Sequence, residues 1–218
     1  MTIRTPRRGR PPTVTREQIV AAAKGRLEAG GVDGFSMRSL ASEVGVSPMA
    51  IYRHVGDREQ LLSLVLDEVS ASFPSTDLPD DPRERIRTLI GDVFDVLASD
   101  RWIADVLRTG NRGGAGALWM VDRILGAAGE LGMSPGAAMV MYRALWNYTL
   151  GAILNLDATA PRAEDDPSPL TVRVLEIGAD RLPNLVAATR ERPSGTTKGR
   201  YLQGIDFLVD GFVRSLQA

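Results

Sequence analysis

Residues 35–62 read FSMRSLASEVGVSPMAIYRHVGDREQLL. The run is punctuated like a pair of short helices. Ser36 opens the first and sends Met37, Leu40, Ala41 and Val44 inward at helical spacing. Gly45 suits the left-handed position that follows a helix C-terminus. Ser47 is a natural N-cap, and Pro48 fills the first helical position, where its missing N–H is not needed. The second helix is short, about Pro48 to His54, and Gly56 breaks it. Asp57 with Gln60 then caps a further helix reaching to about Phe73.

Two short helices joined by a glycine-containing turn form a helix-turn-helix. Leu40, Val46 and Ile51 are expected to hold the pair together, with small Ala41 at the crossing. Ser47, Met49, Ala50, Arg53 and His54 remain on the exposed part. A recognition helix places its N-terminal residues against base edges in the major groove. Serine bonds bases or phosphates, and Met or Ala meets a thymine methyl, so apolar contacts are expected to do much of the reading. His54 is the only histidine of the chain. It reads either as a DNA-facing group or as a plain capping or surface residue.

N-terminal to this pair, Thr15 and Gln18 make a capping box for a first helix. Ile19, Ala22, Ala23 and Leu27 form its buried stripe, and Gly30-Gly31 stops it. Before it lies Arg7-Arg8-Gly9-Arg10-Pro11-Pro12, an arm that looks like the core of an AT-hook. Gly and Pro keep it extended, and Arg7, Arg8 and Arg10 suit a narrow minor groove. The alternative is a tail that is merely solvated. Residues 1–60 hold ten Lys/Arg against six Asp/Glu, so the remainder of this 218-residue, net −1 chain is acidic. A basic front on an acidic body suggests that the front meets a polyanion.

The run 35–62, with residues 15–34 before it, resembles the TetR family of bacterial repressors. The small-residue turn, the Ile51-Tyr52 pair, His54 and the capped, Arg58-containing fourth helix carry the likeness. The resemblance implies that Arg38, Ser47, Met49, Tyr52, Arg53 and His54 face double-stranded DNA, with the Tyr52 hydroxyl on the backbone and Arg58 near a phosphate. Farther on, Gly204 to Gly211 resembles the closing helix of the tetracycline-repressor-like C-terminal group. Ala144 to Gly151 looks like its dimer-forming helix. This implies a ligand cavity inside helices five to eight, roofed near the last two helices, and does not imply tetracycline itself.

Helix-period patterns cover the rest of the chain at 82–99, 101–109, 115–131, 134–157 and 197–216, with a helix or pair of helices in 169–191. Residues 74–82 read as a connector, 158–168 as a polar loop and the glycine-rich 110–116 as a link between the sixth and seventh helices. A phosphate-binding loop would need a preceding strand and a Lys-Ser/Thr, and both are missing from the glycine run. The last helix is apolar nearly all round. Tyr201, Ile205, Leu208, Phe212 and Leu216 mark one face, and Leu202, Val209 and Val213 another. Residues 137–156 have the same character. A helix apolar on both sides is buried on both sides. Gly151, Ala152, Gly204 and Gly211 would let helices approach closely. Two such helices per subunit would make an isologous four-helix interface of a homodimer. The alternative is that both are core helices of a monomer.

Pockets are mostly apolar with a few fixed polar groups. Trp102, Met120, Met139, Tyr142, Arg143, Trp146 and Asn147 fit that description for a small-molecule effector. Arg143 also suits an ion pair across the dimer. The 137–156 stretch is long enough to span a membrane, but Arg143 and Asn147 sit in its middle, and a mid-span Arg costs at least ~2.5 kcal/mol. No apolar run follows the basic N-terminus, so a signal peptide is not expected, and a cytoplasmic location follows by default. With no cysteine and one histidine, neither a disulfide, a metal site nor a cofactor is expected.

The sequence therefore predicts an all-α protein. A basic arm (1–14) and a three-helix helix-turn-helix DNA-binding domain (15–60) precede a helical ligand-binding and dimerisation domain (61–218). The expected function is a homodimeric regulator, a repressor released from a palindromic operator by a small-molecule effector. A constitutive DNA-binding regulator without a ligand switch is the alternative. A helical enzyme is the third reading, and it lacks any nucleophile–base constellation.

Overall fold

The computed structural model describes residues 14–71, 73, 77–108, 115–156, 169–191 and 196–216. Arg7, Arg8 and Arg10 of the expected arm, residues 109–114 of the glycine run and the loop at 158–168 lie outside the described residues. The described residues form eleven α-helices and no strand. Two compact units result. One contains residues 1–76 and 95–123, the other 77–94 and 124–218.

The first unit begins with α1 (Arg16–Gly30), α2 (Met37–Glu43), α3 (Pro48–Val55) and α4 (Arg58–Ser70). Every start is chemically marked. Thr15, Ser36, Ser47 and Asp57 each accept a hydrogen bond from the backbone N–H three residues on, which satisfies one of the donors a helix start leaves open. Thr15 and Gln18 complete the reciprocal box. Ile19, Ala23, Leu27, Leu40, Ala41, Ile51, Leu61 and Val65 have no exposed surface. Burying each large aliphatic side chain among them is worth roughly 1.5–3 kcal/mol, so this small core holds four short helices that would not persist alone. Arg26 of α1 ties to Glu43 of α2 at 2.7 Å. The fourth helix ends at Ser70, short of the expected Phe73. The Ser70 hydroxyl turns back to the Leu66 carbonyl at 2.7 Å.

The same unit holds α6 (Arg101–Arg108), a single 3-10 turn at Ala115–Ala117 and the first part of α7 (Leu118–Glu130). The turn is seated on α4. Gly116 N–H donates to Asp67 Oδ1 at 2.7 Å. A Cβ on Gly116 would come within 3.1 Å of the Ser70 side chain, so glycine permits this close approach.

The second unit is built from residues 82–94 of α5 (Pro82–Ser99), the end of α7, α8 (Pro135–Leu154), α9 (Pro169–Ile177), α10 (Pro183–Arg190) and α11 (Thr197–Ser215). The expected helix or pair over 169–191 is a pair. Helix α5 runs antiparallel to α11. Arg83 pairs with Asp210, Arg87 meets Asp206 at 3.2 Å, and Gly91 lies against Leu202. Tyr201 is the centre of this unit. Its hydroxyl lies 2.7 Å from Thr149 Oγ1 and donates to the Ile90 carbonyl at 3.4 Å. Its ring lies between Phe94, at 4.3 Å centroid distance, and Tyr148, at 5.5 Å.

Within the single chain, the buried side of α11 draws on both expected faces. Tyr201, Ile205 and Val209 are buried, whereas Leu208 and Phe212 are half-buried and Leu216 is exposed. Positions four apart repeat on one side of a helix, and 201, 205 and 209 follow that step. The contacts with α5 and α8 select this side. No helix among the described residues is long and apolar enough to cross a membrane.

Candidate nucleic-acid interface

Helix α3 is anchored from behind by Ile51 and Val55, four residues apart and both buried. Met49 and Arg53, also four apart, fall on the opposite side. Met49 is 71% exposed, a large apolar side chain held in water at the first turn of a helix. Tyr52 is 45% exposed, and Arg53 and His54 are exposed beside it. The turn that presents α3 depends on Gly45, whose φ of 73° lies in the left-handed region that favours glycine. Val46 N–H closes that turn on the Ala41 carbonyl at 3.0 Å.

Ser47 has two roles available at once. Its oxygen accepts the Ala50 N–H at 3.3 Å. Its own hydroxyl proton is then free to donate outward, as a hydroxyl carries both a donor and acceptors. Pro48 leaves no N–H at the first helical position, so the start of α3 offers a compact apolar edge with one polar atom. Arg38 is exposed on α2. Arg58 is half-buried at the start of α4, with its guanidinium 5.7 Å above the Phe35 ring. That stacking orients the group and leaves its in-plane donors for a phosphate.

Near the other end of the same core, Glu17 is held below the usual carboxylate range. Its own backbone N–H is the main cause, followed by the Thr15 hydroxyl, with Arg16 and His54 adding positive charge. His54 thus bears on α1 electrostatically as well as facing outward. Two open depressions lie between α1 and α4, of about 440 and 520 Å³, and both include Arg16 and Leu64. They contain none of the residues expected to read DNA.

The residues expected to bind a ligand fall into two sets. Trp102 and Met120 are buried in the first unit. Met139, Tyr142, Arg143, Trp146 and Asn147 lie on α8 in the second. There Met139, Arg143 and Asn147 are exposed, opposite Met141 and Leu145, which have no exposed surface. Tyr142 and Trp146 are half-buried, and burial raises the Tyr142 phenol above its ordinary value. Among the described residues, no three His, Cys, Asp or Glu side chains group as metal ligands.

Sequence reading gives α8 and α11 a second apolar side for a partner subunit, and the exposed residues there are partly apolar. Val140 is 58% exposed, Leu154 40% and Phe207 67%, an apolar surface on the outward sides of both helices. Positions 140, 143, 147, 151 and 154 follow one another at steps of three or four, the spacing that keeps residues on one side of a helix.

Two family models match successive parts of the chain. Residues 19–65 match the family model described as bacterial regulatory proteins, tetR family, and residues 74–215 match the tetracyclin repressor-like C-terminal domain. The chain is similar to the HTH-type transcriptional repressor DrrR1 of Streptomyces coeruleorubidus, 29% identical over 151 residues. That alignment covers 68% of this chain and only 56% of DrrR1. It is also similar to the tetracycline repressor protein class A from transposon 1721 of Escherichia coli, 26% identical, with 90% of this chain and 89% of that protein covered. Among solved structures, apo ActR from Streptomyces coelicolor superposes with a TM-score of 0.79 at 23% identity, covering 94% of this chain and 97% of that one. ActR in complex with actinorhodin gives 0.76 at 22% identity, covering 93% and 98%. At such identities the structural likeness speaks to the fold.

Proposed function

The chain belongs to the TetR family of bacterial regulatory proteins, and on that premise we propose that it is a sequence-specific DNA-binding transcriptional regulator, a homodimeric repressor that leaves a palindromic operator when a small molecule binds its body. The observation that carries the reading is the outward side of α3. Met49 and Tyr52 stand in water while Ile51 and Val55 of the same short helix are buried. A protein with no partner for that surface gains nothing from exposing it.

In this reading α3 enters the major groove. Ser47 donates to a base or phosphate and Met49 packs on a thymine methyl. Tyr52, Arg38, Arg53, His54 and Arg58 hold the phosphate backbone, which fixes register without reading sequence. Arg7, Arg8 and Arg10 supply minor-groove or phosphate contacts. The outward stripes of α8 and α11 pair with their copies around a two-fold axis, with Gly151 and Gly211 at the close approaches and Arg143 and Asn147 as polar groups along the seam. Two recognition helices then read half-sites about one DNA turn apart, ~34–36 Å.

Effector binding in the body, with the buried Trp102 and Met120 of the first unit as the candidate contacts, favours a dimer with another spacing. By linkage, operator DNA weakens effector binding by the same factor. The test is a gel-shift titration against a duplex selected from random DNA by the wild-type protein. Tyr52→Phe and Arg38→Ala are expected to bind it more weakly, while unfolding at the wild-type denaturant midpoint. Affinity in both variants equal to wild type would reject the assignment. Binding should also fall steeply with salt, as counterion release requires.

A further inference from the structure

Trp102 lies in the first turn of α6 and is 6% exposed. Its indole N–H is buried and meets no acceptor among the described residues. An indole nitrogen donates one hydrogen bond and accepts none, and buried donors in folded proteins nearly always have a partner. The other buried donor in this state among the described residues, Arg26 Nε, belongs to a guanidinium that already holds Glu43 at 2.7 Å. Trp102 has no second polar atom to compensate.

The buried residues described in the same unit limit what can complete the bond. Ile103, Ala104 and Val106 of α6 are buried, as is Met120 of α7 in the same unit. The charged side chains Asp105 and Arg108 are turned to the surface, 3.9 Å from each other. Ser70 is the one buried polar or charged residue described in this unit, and its hydroxyl is committed to the Leu66 carbonyl. A resident water needs two to four polar partners, and the buried residues described in this unit offer one polar side chain, Ser70. An ionised group would meet no buried counter-charge among the described residues of the unit.

We propose that the Trp102 indole N–H is the recognition donor for the effector, and that the effector is a neutral, largely apolar molecule presenting a carbonyl-type oxygen. The inference rests on the ligand-responsive reading above and narrows it to one contact and one ligand class. An apolar frame fills the unit's interior, and the oxygen completes the single bond that the protein leaves open. A site built to donate a hydrogen bond discriminates strongly against an analogue that lacks the acceptor, because the donor is then left unpaired.

The test uses the full chain with isotope-labelled indole nitrogens. Its three tryptophans give three side-chain N–H signals, and Trp102→Phe assigns the one that matters. Two probes share a flat bicyclic frame: menadione, which carries two ring carbonyls, and methylnaphthalene, which carries none. The protein has no cysteine for the quinone to alkylate. Menadione is expected to move the Trp102 proton downfield and to bind about ten-fold tighter than methylnaphthalene, the worth of one buried hydrogen bond. Trp102→Phe should erase that preference. If Trp102→Phe does not fold, Trp119→Phe and Trp146→Phe assign the Trp102 signal by elimination, and the wild-type shift decides.

A Trp102 proton that menadione does not move overturns the proposal, including the case in which it already contacts a bound water. Equal binding of the two probes overturns it as well. A chain that binds DNA but ignores menadione fails here only. A chain that binds no DNA fails at the regulator reading instead.

Discussion

Replacing Ser47 separates the folding role of this residue from its role at DNA. The oxygen caps α3 by accepting the Ala50 N–H. Ser47→Ala removes that acceptor and is expected to cost about 1 kcal/mol of stability. Ser47→Asn and Ser47→Asp keep a capping oxygen, so both should unfold within roughly 0.5 kcal/mol of wild type. The two differ by a charge. If Ser47 faces a phosphate at ~5 Å, a carboxylate there meets a repulsion of roughly 1.7 kcal/mol at an effective dielectric of ~40, about a 17-fold loss of affinity. The loss should shrink as salt is raised. Urea unfolding measures the first effect and fluorescence anisotropy with a labelled duplex measures the second. Two results would refute the reasoning. One is Ser47→Asp binding DNA as tightly as Ser47→Asn. The other is Ser47→Asp losing as much stability as Ser47→Ala.

Other expectations come from the second unit. A Cβ at Gly204 would overlap the Tyr148 ring and hydroxyl, so Gly204→Ala should destabilise by about 1–3 kcal/mol in urea titration, the range for overpacking. Tyr201→Phe keeps the ring stack and removes the hydroxyl shared with Thr149 and the Ile90 carbonyl, which predicts a loss of about 1–2 kcal/mol. Phe207→Arg places a charge in the outward stripe of α11, and if that stripe is the proposed dimer seam, sedimentation should report a smaller species than for the wild type. Tyr142 has its phenol pKa raised by burial. Its contribution is therefore intact below the unfolded value and lost as pH rises through the folded one. Tyr142→Phe should be less sensitive to alkali in pH-jump unfolding above the normal tyrosine range, and an unchanged alkaline limb would contradict it.

The helix-turn-helix was legible because its signals are local. Ser36, Gly45, Ser47, Pro48 and Asp57 each dictate the backbone within three residues of themselves, and the bonds found are those the types require. The facing of α11 was not legible. Its sequence is apolar on several sides, and what chooses Tyr201, Ile205 and Val209 is a set of contacts with Ile90, Gly91 and Thr149. Those partners lie more than fifty residues away, beyond any periodicity. Residue type alone also could not assign the candidate ligand contacts to a compact unit. Trp102 and Met120 lie in one, and the five on α8 lie in the other. The missing partner of Trp102 had no sequence signature at all, since a tryptophan looks the same whether or not its N–H is satisfied.

The seam between α5 and α11 raises the question of what fixes its register. Arg83 and Arg87 are four apart, as are Asp206 and Asp210, so a slip of one helical turn would still leave one Arg–Asp pair of two. The Arg and Asp side chains are 38–47% exposed, and exposed pairs contribute about 0–1 kcal/mol each. The ion pairs therefore discriminate weakly between the two registers. Tyr201 discriminates strongly. A slip of about 5.4 Å would take its hydroxyl from Thr149 and Ile90 and its ring from Phe94, leaving a buried polar atom unpaired. Gly204 adds a steric requirement, because the Tyr148 side chain occupies the space where a Cβ would stand. The aromatic node sets the register and the charges follow it. Removing both arginines should thus leave the fold intact, whereas Tyr201→Ala, which loses the hydroxyl and both stacks together, should cost several kcal/mol, about 3–5. A double Arg83→Gln, Arg87→Gln variant that unfolds as readily as Tyr201→Ala in urea would reverse this order and make the ion pairs the determinant.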